Sequence, residues 1–383
     1  MRIALLALNF AEYASRLAVA LATKHEVLLV LRASNAEREL TDELRTLVEE
    51  SVTVRHLEPR RRRDPRVLGT SFSINRIVRD FAPDVLHIHE EHPVLAGWTV
   101  VSLRKTIPLV FTVHDPVSHA GGPPKDGLRW KILMWFRRRA NRLIVHGPRM
   151  LAEIEALDGR LAGRVDVVPH GILGRAAVDG NPSGNEQGTL LFFGRMEPYK
   201  GLRYFLDAGD ILRSRGHEFR LIVAGTGTDL TRHRERIAAS DWVELIDRYV
   251  SATEVADLFR RSAAVVLPYT DATQSGVAAI AFANSRPVIA SAVGDLPDVV
   301  IPGRTGLLVA PCDARALADA MEKILVDRAL RDSLAAGAGQ YARERLSWPR
   351  IAELTQETYR RAIESRSDPV RWPANQRRGT GSY

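Results

Sequence analysis

Thr189-Leu-Leu-Phe-Phe-Gly-Arg-Met-Glu-Pro-Tyr-Lys-Gly201 is an apolar five-residue run that ends in a glycine-bounded turn carrying two cations, Arg195 and Lys200. The turn opens a helical pattern. The run also restarts an alternation already completed once. Upstream, the spacing predicts strands at Ile3–Leu8, Glu26–Leu31, Asp84–His89, Leu109–His114, Leu143–His146 and Val165–Pro169, with helical segments such as Tyr13–Thr23 between them. Downstream, Leu221–Ala224, Val243–Ile246, Ala264–Leu267 and Val288–Ala290 continue the second series. Continuous apolar strands separated by helices mean parallel sheets covered on both faces. Between the series, the segment 176–188 contains Asp179-Gly-Asn-Pro-Ser-Gly-Asn185, which has no core-forming residues and reads as a linker. Two doubly wound α/β units in series follow. The expected first unit is 1–175 and the second 189–348, with a final helix over 349–365 and a flexible polar tail over 366–383.

The chain has 383 residues, too long for one ordinary core and suited to two. Hydrophobic residues make up 45% and charged residues 26%, the balance of a globular protein. A single cysteine, Cys312, excludes a disulfide framework, and no Cys/His cluster has zinc spacing. After Met1-Arg2, the apolar run Ile3-Ala-Leu-Leu-Ala-Leu8 breaks at Asn9 with no small-residue cleavage pattern, so it reads as a buried first strand rather than a signal peptide. No stretch approaches the ~20 apolar residues that span a bilayer. These features place the expected protein in the cytoplasm. The net charge of +8 and isoelectric point near 9.8 favour phosphate-rich partners: a nucleotide, a nucleic acid or an anionic membrane.

Open parallel sheets bind ligands beyond the carboxyl ends of their strands. Arg195 and Lys200 lie there, and a planar guanidinium with a compact ammonium can neutralise a diphosphate; ordinary solvated surface charges are the competing account. Gly225-Thr-Gly227 begins like a dinucleotide fingerprint, but position 230 is Leu, so NAD binding is disfavoured and only close backbone approach to a ligand is expected. Gln274-Ser275-Gly276-Val277 opens a helix whose free N–H groups suit an anion, although Ser275 also serves as an ordinary cap. In the first unit, strand ends carry His87, His89, His92, His114 and His119, and imidazole can hydrogen-bond sugar hydroxyls or phosphate near neutral pH. His87-Ile-His89 has no third ligand placed and the chain has no Asp-x-Asp, so no metal site is expected.

Several of these residues resemble a family. Gly194-Arg-Met-Glu-Pro-Tyr-Lys-Gly201, Val223-Ala-Gly-Thr-Gly227, Leu267-Pro-Tyr269, Pro287-Val-Ile-Ala-Ser-Ala-Val-Gly-Asp-Leu-Pro-Asp298 and Gly303-Arg-Thr-Gly-Leu-Leu-Val309 look like the C-terminal domain of retaining GT-B glycosyltransferases of family four. Thr112-Val-His-Asp115 and Val168-Pro-His-Gly171 fit the N-terminal domain. The resemblance covers roughly residues 1–365 and is loose before residue 80. It implies a GT-B fold, two Rossmann-like domains facing a cleft. The C-terminal domain would hold a nucleotide-sugar donor, UDP- or GDP-linked, as a substrate, with no cofactor and no catalytic metal. By that resemblance Arg195 and Lys200 hold the diphosphate, His114 contacts the transferred sugar, and Gly194, Gln274, Ser275, Gly276 and Val277 line the phosphates and sugar. The base lies near Gly225, Tyr249 and Val250, and the last helix returns to the N-terminal domain. Two departures stand out. The family's paired glutamates around the phosphate loop correspond to Ala272 and Ile280, and Asn9-Phe-Ala-Glu12 replaces the usual glycine pair after the first strand.

Arg129-Trp-Lys-Ile-Leu-Met-Trp-Phe-Arg-Arg-Arg-Ala-Asn-Arg142 mixes six cations with Trp130, Trp135 and Phe136, and Arg60–Arg63 adds four more. A basic aromatic helix suits an anionic lipid surface; a half-buried helix with a solvated basic edge is the alternative. Nucleic acid is disfavoured because no recognition module is present. Asn9, His89, Trp130, Trp135, Arg137, Arg138 and Arg139 are thus expected on the acceptor or membrane side. The expected function is metal-independent transfer of a sugar, with retention, to a saccharide or lipid-linked acceptor at the inner face of the membrane, in cell-surface polysaccharide or glycolipid synthesis. An inactive nucleotide-sugar-binding homologue and a two-domain nucleotide-sugar epimerase are the rival readings.

Overall fold

A computed structural model describes residues 1–58, 67–89, 99, 101–114, 127–174, 188–271 and 275–367. The first sheet contains β1 (Arg2–Ala7), β2 (Glu26–Arg32), β3 (Thr53–Leu57), β4 (Val85–Ile88), β5 (Leu109–Thr112), β6 (Arg142–Val145) and β7 (Val165–Val167), in the order β3-β2-β1-β4-β5-β6-β7. The second contains β8 (Thr189–Phe193), β9 (Arg220–Ala224), β10 (Val243–Ile246), β11 (Ala264–Leu267), β12 (Val288–Ser291) and β13 (Gly306–Val309), in the order β10-β9-β8-β11-β12-β13. All pairings in both sheets are parallel, with β1 registered as Ile3 opposite Val27 and Val85. This is the two-Rossmann GT-B architecture.

Each sheet is buried on both faces because its strands alternate between two apolar layers. In β1, Ile3, Leu5 and Ala7 enter one layer while Ala4 and Leu6 enter the other. The helix Ala11–Ala22 supplies Ala14, Leu17, Ala18 and Leu21 to the first of these, at helical spacing. Strand β3 had no apolar signal in the sequence. It is an edge strand exposing Thr53, Arg55 and His56, so only one neighbour and half-buried faces hold it. Of the linker 176–188 only Gly188 is described; the other linker residues, the tail from 368 and Arg60–Arg63 lie outside the described residues.

The chain crosses back at its end. The helix Trp348–Ser367 places Ile351, Ala352, Tyr359 and Ala362 in the core of the first sheet. Its anchor is polar: the Tyr359 hydroxyl lies 2.7 Å from His87 Nδ1, and His87 Nε2 lies 2.7 Å from Thr112 Oγ1. His87 is fully buried, and burial together with the nearby His114 and His146 lowers its pKa to about 3, so it is a neutral clasp between β4, β5 and the returning helix. No described helix is long and apolar enough to cross a membrane.

Strand order reverses at β1/β4 in one sheet and at β8/β11 in the other, which makes these the two crevices for ligands. The carboxyl ends of the sheets face each other. Gly147 follows β6 and Asp295 follows β12, yet a Cβ on Gly147 would lie 3.2 Å from Asp295 Oδ2.

Replacing Tyr359 by Phe leaves a buried imidazole nitrogen without its partner. The expected cost is about 1–3 kcal/mol of stability, read by urea unfolding; an unfolding curve superimposable on the parent would show that the clasp contributes nothing.

Candidate active site

The turns after β8, β9 and β11 are fastened to one another by backbone contact. Gly194 N–H donates to Ala224 O at 3.0 Å, Met196 N–H to Thr226 O at 2.8 Å and Thr270 N–H to Tyr199 O at 2.7 Å. Gly225 has φ +134° and a Cβ there would sit 2.0 Å from Gly194 O; Gly201 has φ +73° and a Cβ there would sit 2.0 Å from Pro268 O. Neither position accommodates a side chain. The close approach expected at Gly225-Thr-Gly227 therefore exists, but its partner is the neighbouring turn: a Cβ on Gly227 would meet Met196 O at 2.3 Å.

That knot fixes Lys200. Its side chain is buried, with Nζ 2.9 Å from where a Gly194 Cβ would be and 5.4 Å from the centre of the Tyr269 ring. Burial first, and the adjacent Arg195 second, lower its pKa to about 8. Glu197 pulls the other way, yet no carboxylate is paired with the ammonium among the described residues. Arg195 is exposed beside it. Ser275 completes the hollow: its Oγ lies 3.4 Å from the Tyr269 hydroxyl and accepts from Ala278 N–H at the start of the helix Gly276–Ala283. Val277 borders Gly194, and a Cβ on Gly276 would meet nothing within 4 Å. Two cations, a helix N-terminus and open space thus share one crevice, an arrangement that attracts a multivalent anion. Ile280 packs against the core of this domain, so at that position an apolar contact replaces a polar side chain.

The described part of the facing crevice is lined by histidines. His89, fully buried at the end of β4, has neither ring nitrogen hydrogen-bonded. His114 stacks on Phe10 with ring centres 3.9 Å apart, its Nδ1 lies 3.0 Å from His146 Nε2, and its buried Nε2 has no partner among the described residues. His146 Nδ1 donates to Val168 O at 3.0 Å, and His170 Nδ1 donates to Gly171 O at 2.8 Å. Tyr13 makes ring contacts with His89, His114, His146 and His170. Burial lowers the pKa of all four histidines, to about 3 for His146, so the crevice presents neutral imidazoles. Asn9 stands exposed at the end of β1, beside Phe10.

His87 is committed to Thr112 and Tyr359 and has no nitrogen free for a metal. His114, His146 and His170 each bring one ring nitrogen within 4.8 Å of the others, a looser spacing than the roughly 3.3 Å between ligands around a tetrahedral zinc.

Gln274, Ala272, His92 and His119 lie outside the described residues. Tyr249 is exposed, whereas the Val250 side chain belongs to the core, leaving only its main chain available to a nucleotide base. The basic aromatic segment is more internal than its composition suggests. The helix Leu128–Arg137 buries Met134 and Phe136, and Trp130 and Trp135 pack against the same core. Arg137 is the plain correction: it is 1% exposed and lies near the Trp130 ring, so it faces no lipid. Arg138 is 2.5 Å from Asp158, and Arg139 stacks 3.6 Å over Trp135. Sequence reasoning missed His146, His170, Tyr13 and Asp295 as site residues. The first two follow β6 and β7 directly, so the strand-end rule applied to His114 would have found them.

Family models for glycosyl transferases group 1 and for glycosyltransferase family 4 match residues 187–327 and 11–172. D-inositol 3-phosphate glycosyltransferase of Arthrobacter sp. (strain FB24) is 30% identical over 313 residues, covering 76% of this chain and 73% of that protein. Glycogen synthase of Mycobacterium tuberculosis is 29% identical, over 76% of this chain and 72% of that one. Among solved structures, Anabaena HepE in complex with UDP and glucose matches with a TM-score of 0.71 at 18% identity, covering 94% of this chain and 99% of that one. Sucrose-phosphate synthase from Thermosynechococcus elongatus matches at 0.70 and 20%, covering 95% and 100%. With the fold, the crevice and a relative of this likeness in agreement, the chain belongs to the group 1, family 4 glycosyltransferases of GT-B fold.

Proposed function

We propose that the protein transfers a sugar, with retention and without a metal, from a nucleotide-sugar donor to a saccharide or lipid-linked acceptor. The observation that carries this reading is Lys200, a buried ammonium with Arg195 beside it and no carboxylate paired with it among the described residues. A donor diphosphate supplies the missing negative charge. As the bond to the anomeric carbon breaks, charge accumulates on the departing diphosphate, and Lys200, Arg195 and the amides near Ser275 stabilise it without reorganising. The sugar then lies toward neutral histidines, where the unpartnered ring nitrogens of His89 and His114 are available to hydroxyls. Approach of the two halves excludes water and suppresses hydrolysis. The acceptor attacks from the face the diphosphate leaves, and the diphosphate oxygen takes its proton. UDP in Anabaena HepE supports a uridine nucleotide over a guanosine one.

Without Arg137, the membrane reading is proposed in a narrower form. Burial first, and the nearby Arg104 and Arg138 second, lower the pKa of Arg139, so three guanidinium groups lie close to one another. Such a cluster suits an anionic leaflet. It fits a cytoplasmic, peripheral enzyme of surface polysaccharide or glycolipid synthesis.

Incubation with a donor panel and mass detection should show nucleotide release and a glycosylated product. Lys200→Met should cut transfer by roughly 100- to 1,000-fold while raising the thermal midpoint of the unliganded protein, because an unpaired buried charge is removed; full turnover in that variant refutes the role, and ligand binding without release by the parent would mark an inactive homologue.

UDP affinity should be level between about pH 7 and 8, above the second ionisation of its terminal phosphate, and weaken above 8 by up to about tenfold per pH unit. The free protein loses the Lys200 proton through about 8, whereas a bound diphosphate holds that proton to higher pH. A profile with the same slope in Lys200→Met would contradict this. Finally, replacing Arg104 and Arg139 by Gln should weaken co-flotation with phosphatidylserine vesicles, and unaltered flotation removes the membrane claim.

A further inference from the structure

His146 is not a group the proposed reaction needs, yet it is tied into the crevice more tightly than His114. A carbonyl oxygen only accepts, so the 3.0 Å contact from His146 Nδ1 to Val168 O requires the proton of His146 to be on Nδ1. A neutral imidazole carries one N–H, so His146 Nε2 is bare. His114 Nδ1 lies 3.0 Å from that bare nitrogen and must therefore carry its own proton there. The same logic leaves His114 Nε2 without a proton. Burial keeps both rings neutral, which removes the doubly protonated form in which this logic fails. The ring cannot swing away easily: Phe10 stacks on it at an interplanar angle of 21° and Tyr13 meets it edge-on at 85°.

We propose that His146 is a positioning residue that fixes the proton of His114 on Nδ1, so that His114 Nε2 is a hydrogen-bond acceptor matched to a ligand hydroxyl. The proposal rests on the reading of His114 as a sugar-contacting residue and specifies the chemistry it recognises. A bare nitrogen accepts from O–H but repels the lone pairs of a phosphate, carboxylate or ether oxygen. The two crevices thereby sort one substrate by chemical type: charged oxygens go to Lys200 and Arg195, and a hydroxyl goes to His114. The orphaned state of Nε2 among the described residues supports this, since a buried acceptor without a partner is a group that a ligand can satisfy.

The deciding measurement is a long-range proton–nitrogen correlation spectrum of EDTA-treated protein carrying isotope-labelled histidine, near neutral pH. The His114 signals are assigned by their loss in His114→Gln. The expected spectrum shows His114 and His146 both protonated at Nδ1 and bare at Nε2. His146→Phe removes the acceptor, and the His114 proton should then appear largely on Nε2. His146→Gln offers an amide oxygen at the same place and should keep it on Nδ1. A parent spectrum with His114 protonated at Nε2 overturns the proposal, as does a His114 pattern that His146→Phe leaves untouched. Where transfer is measurable, His146→Phe should lower kcat/KM by about tenfold, the worth of one hydrogen bond, and His146→Gln should restore most of it; equal losses in both variants count against it. The spectrum needs no turnover, so it stands or falls separately from the donor assignment.

Discussion

A positive charge held inside protein without a negative one is the constraint around which the second domain is arranged. Lys200 sits at about 8 against an ordinary value of 10.5, which corresponds to an expense of roughly 3 kcal/mol for keeping it protonated. Nothing in local propensity calls for that residue there. The surrounding turn must therefore be stiff enough to prevent the side chain from reaching water. Gly194, Gly201, Gly225 and Gly227 provide that stiffness, because each lets a neighbouring backbone or the ammonium itself come closer than any Cβ permits. The result is an electrostatic vacancy shaped for an anion before any anion arrives, the preorganisation that makes such sites effective.

The opposite crevice works by the reverse principle. Four imidazoles share it, and burial, reinforced by neighbouring histidines at His89, His114 and His146, keeps them uncharged. In the proposed reaction, any of them that remained protonated would compete with Lys200 for the diphosphate. Neutrality therefore has a directional effect: it leaves one end of the cleft attractive to charge and the other to hydroxyls. Tyr13, in contact with all four rings, separates this polar group from the apolar layer behind it.

Most strands were legible because parallel strands covered on both faces leave uninterrupted apolar runs; Thr189–Phe193, Val243–Ile246 and Ala264–Leu267 match residue for residue. Strand β3 was illegible because an edge strand with Arg55 and His56 facing outward has no such run. Arg195, Lys200 and Ser275 could be singled out because strand ends at a reversal of order are where ligands bind, and the structure brings them into one hollow. Arg137 misled because its neighbours in sequence are basic and its neighbours in space are Met134 and Trp130. Composition registers charge but not which way a helix turns it. Asp295 was invisible for a different reason. It meets Gly147 from the other domain, and contacts of that range leave no local pattern.

The returning helix has a consequence for how the molecule is made. Ile351, Tyr359 and Ala362 complete the apolar layer that begins with Ile3 and Leu5, so the first sheet lacks one wall until residues 351–362 have left the ribosome. During synthesis the early sheet waits, with Leu17 and Leu21 incompletely covered, while the second half can close around Lys200 on its own. The usual N-to-C order of maturation is then inverted: the second core is complete by Leu346, whereas the first is sealed only by the helix Trp348–Ser367.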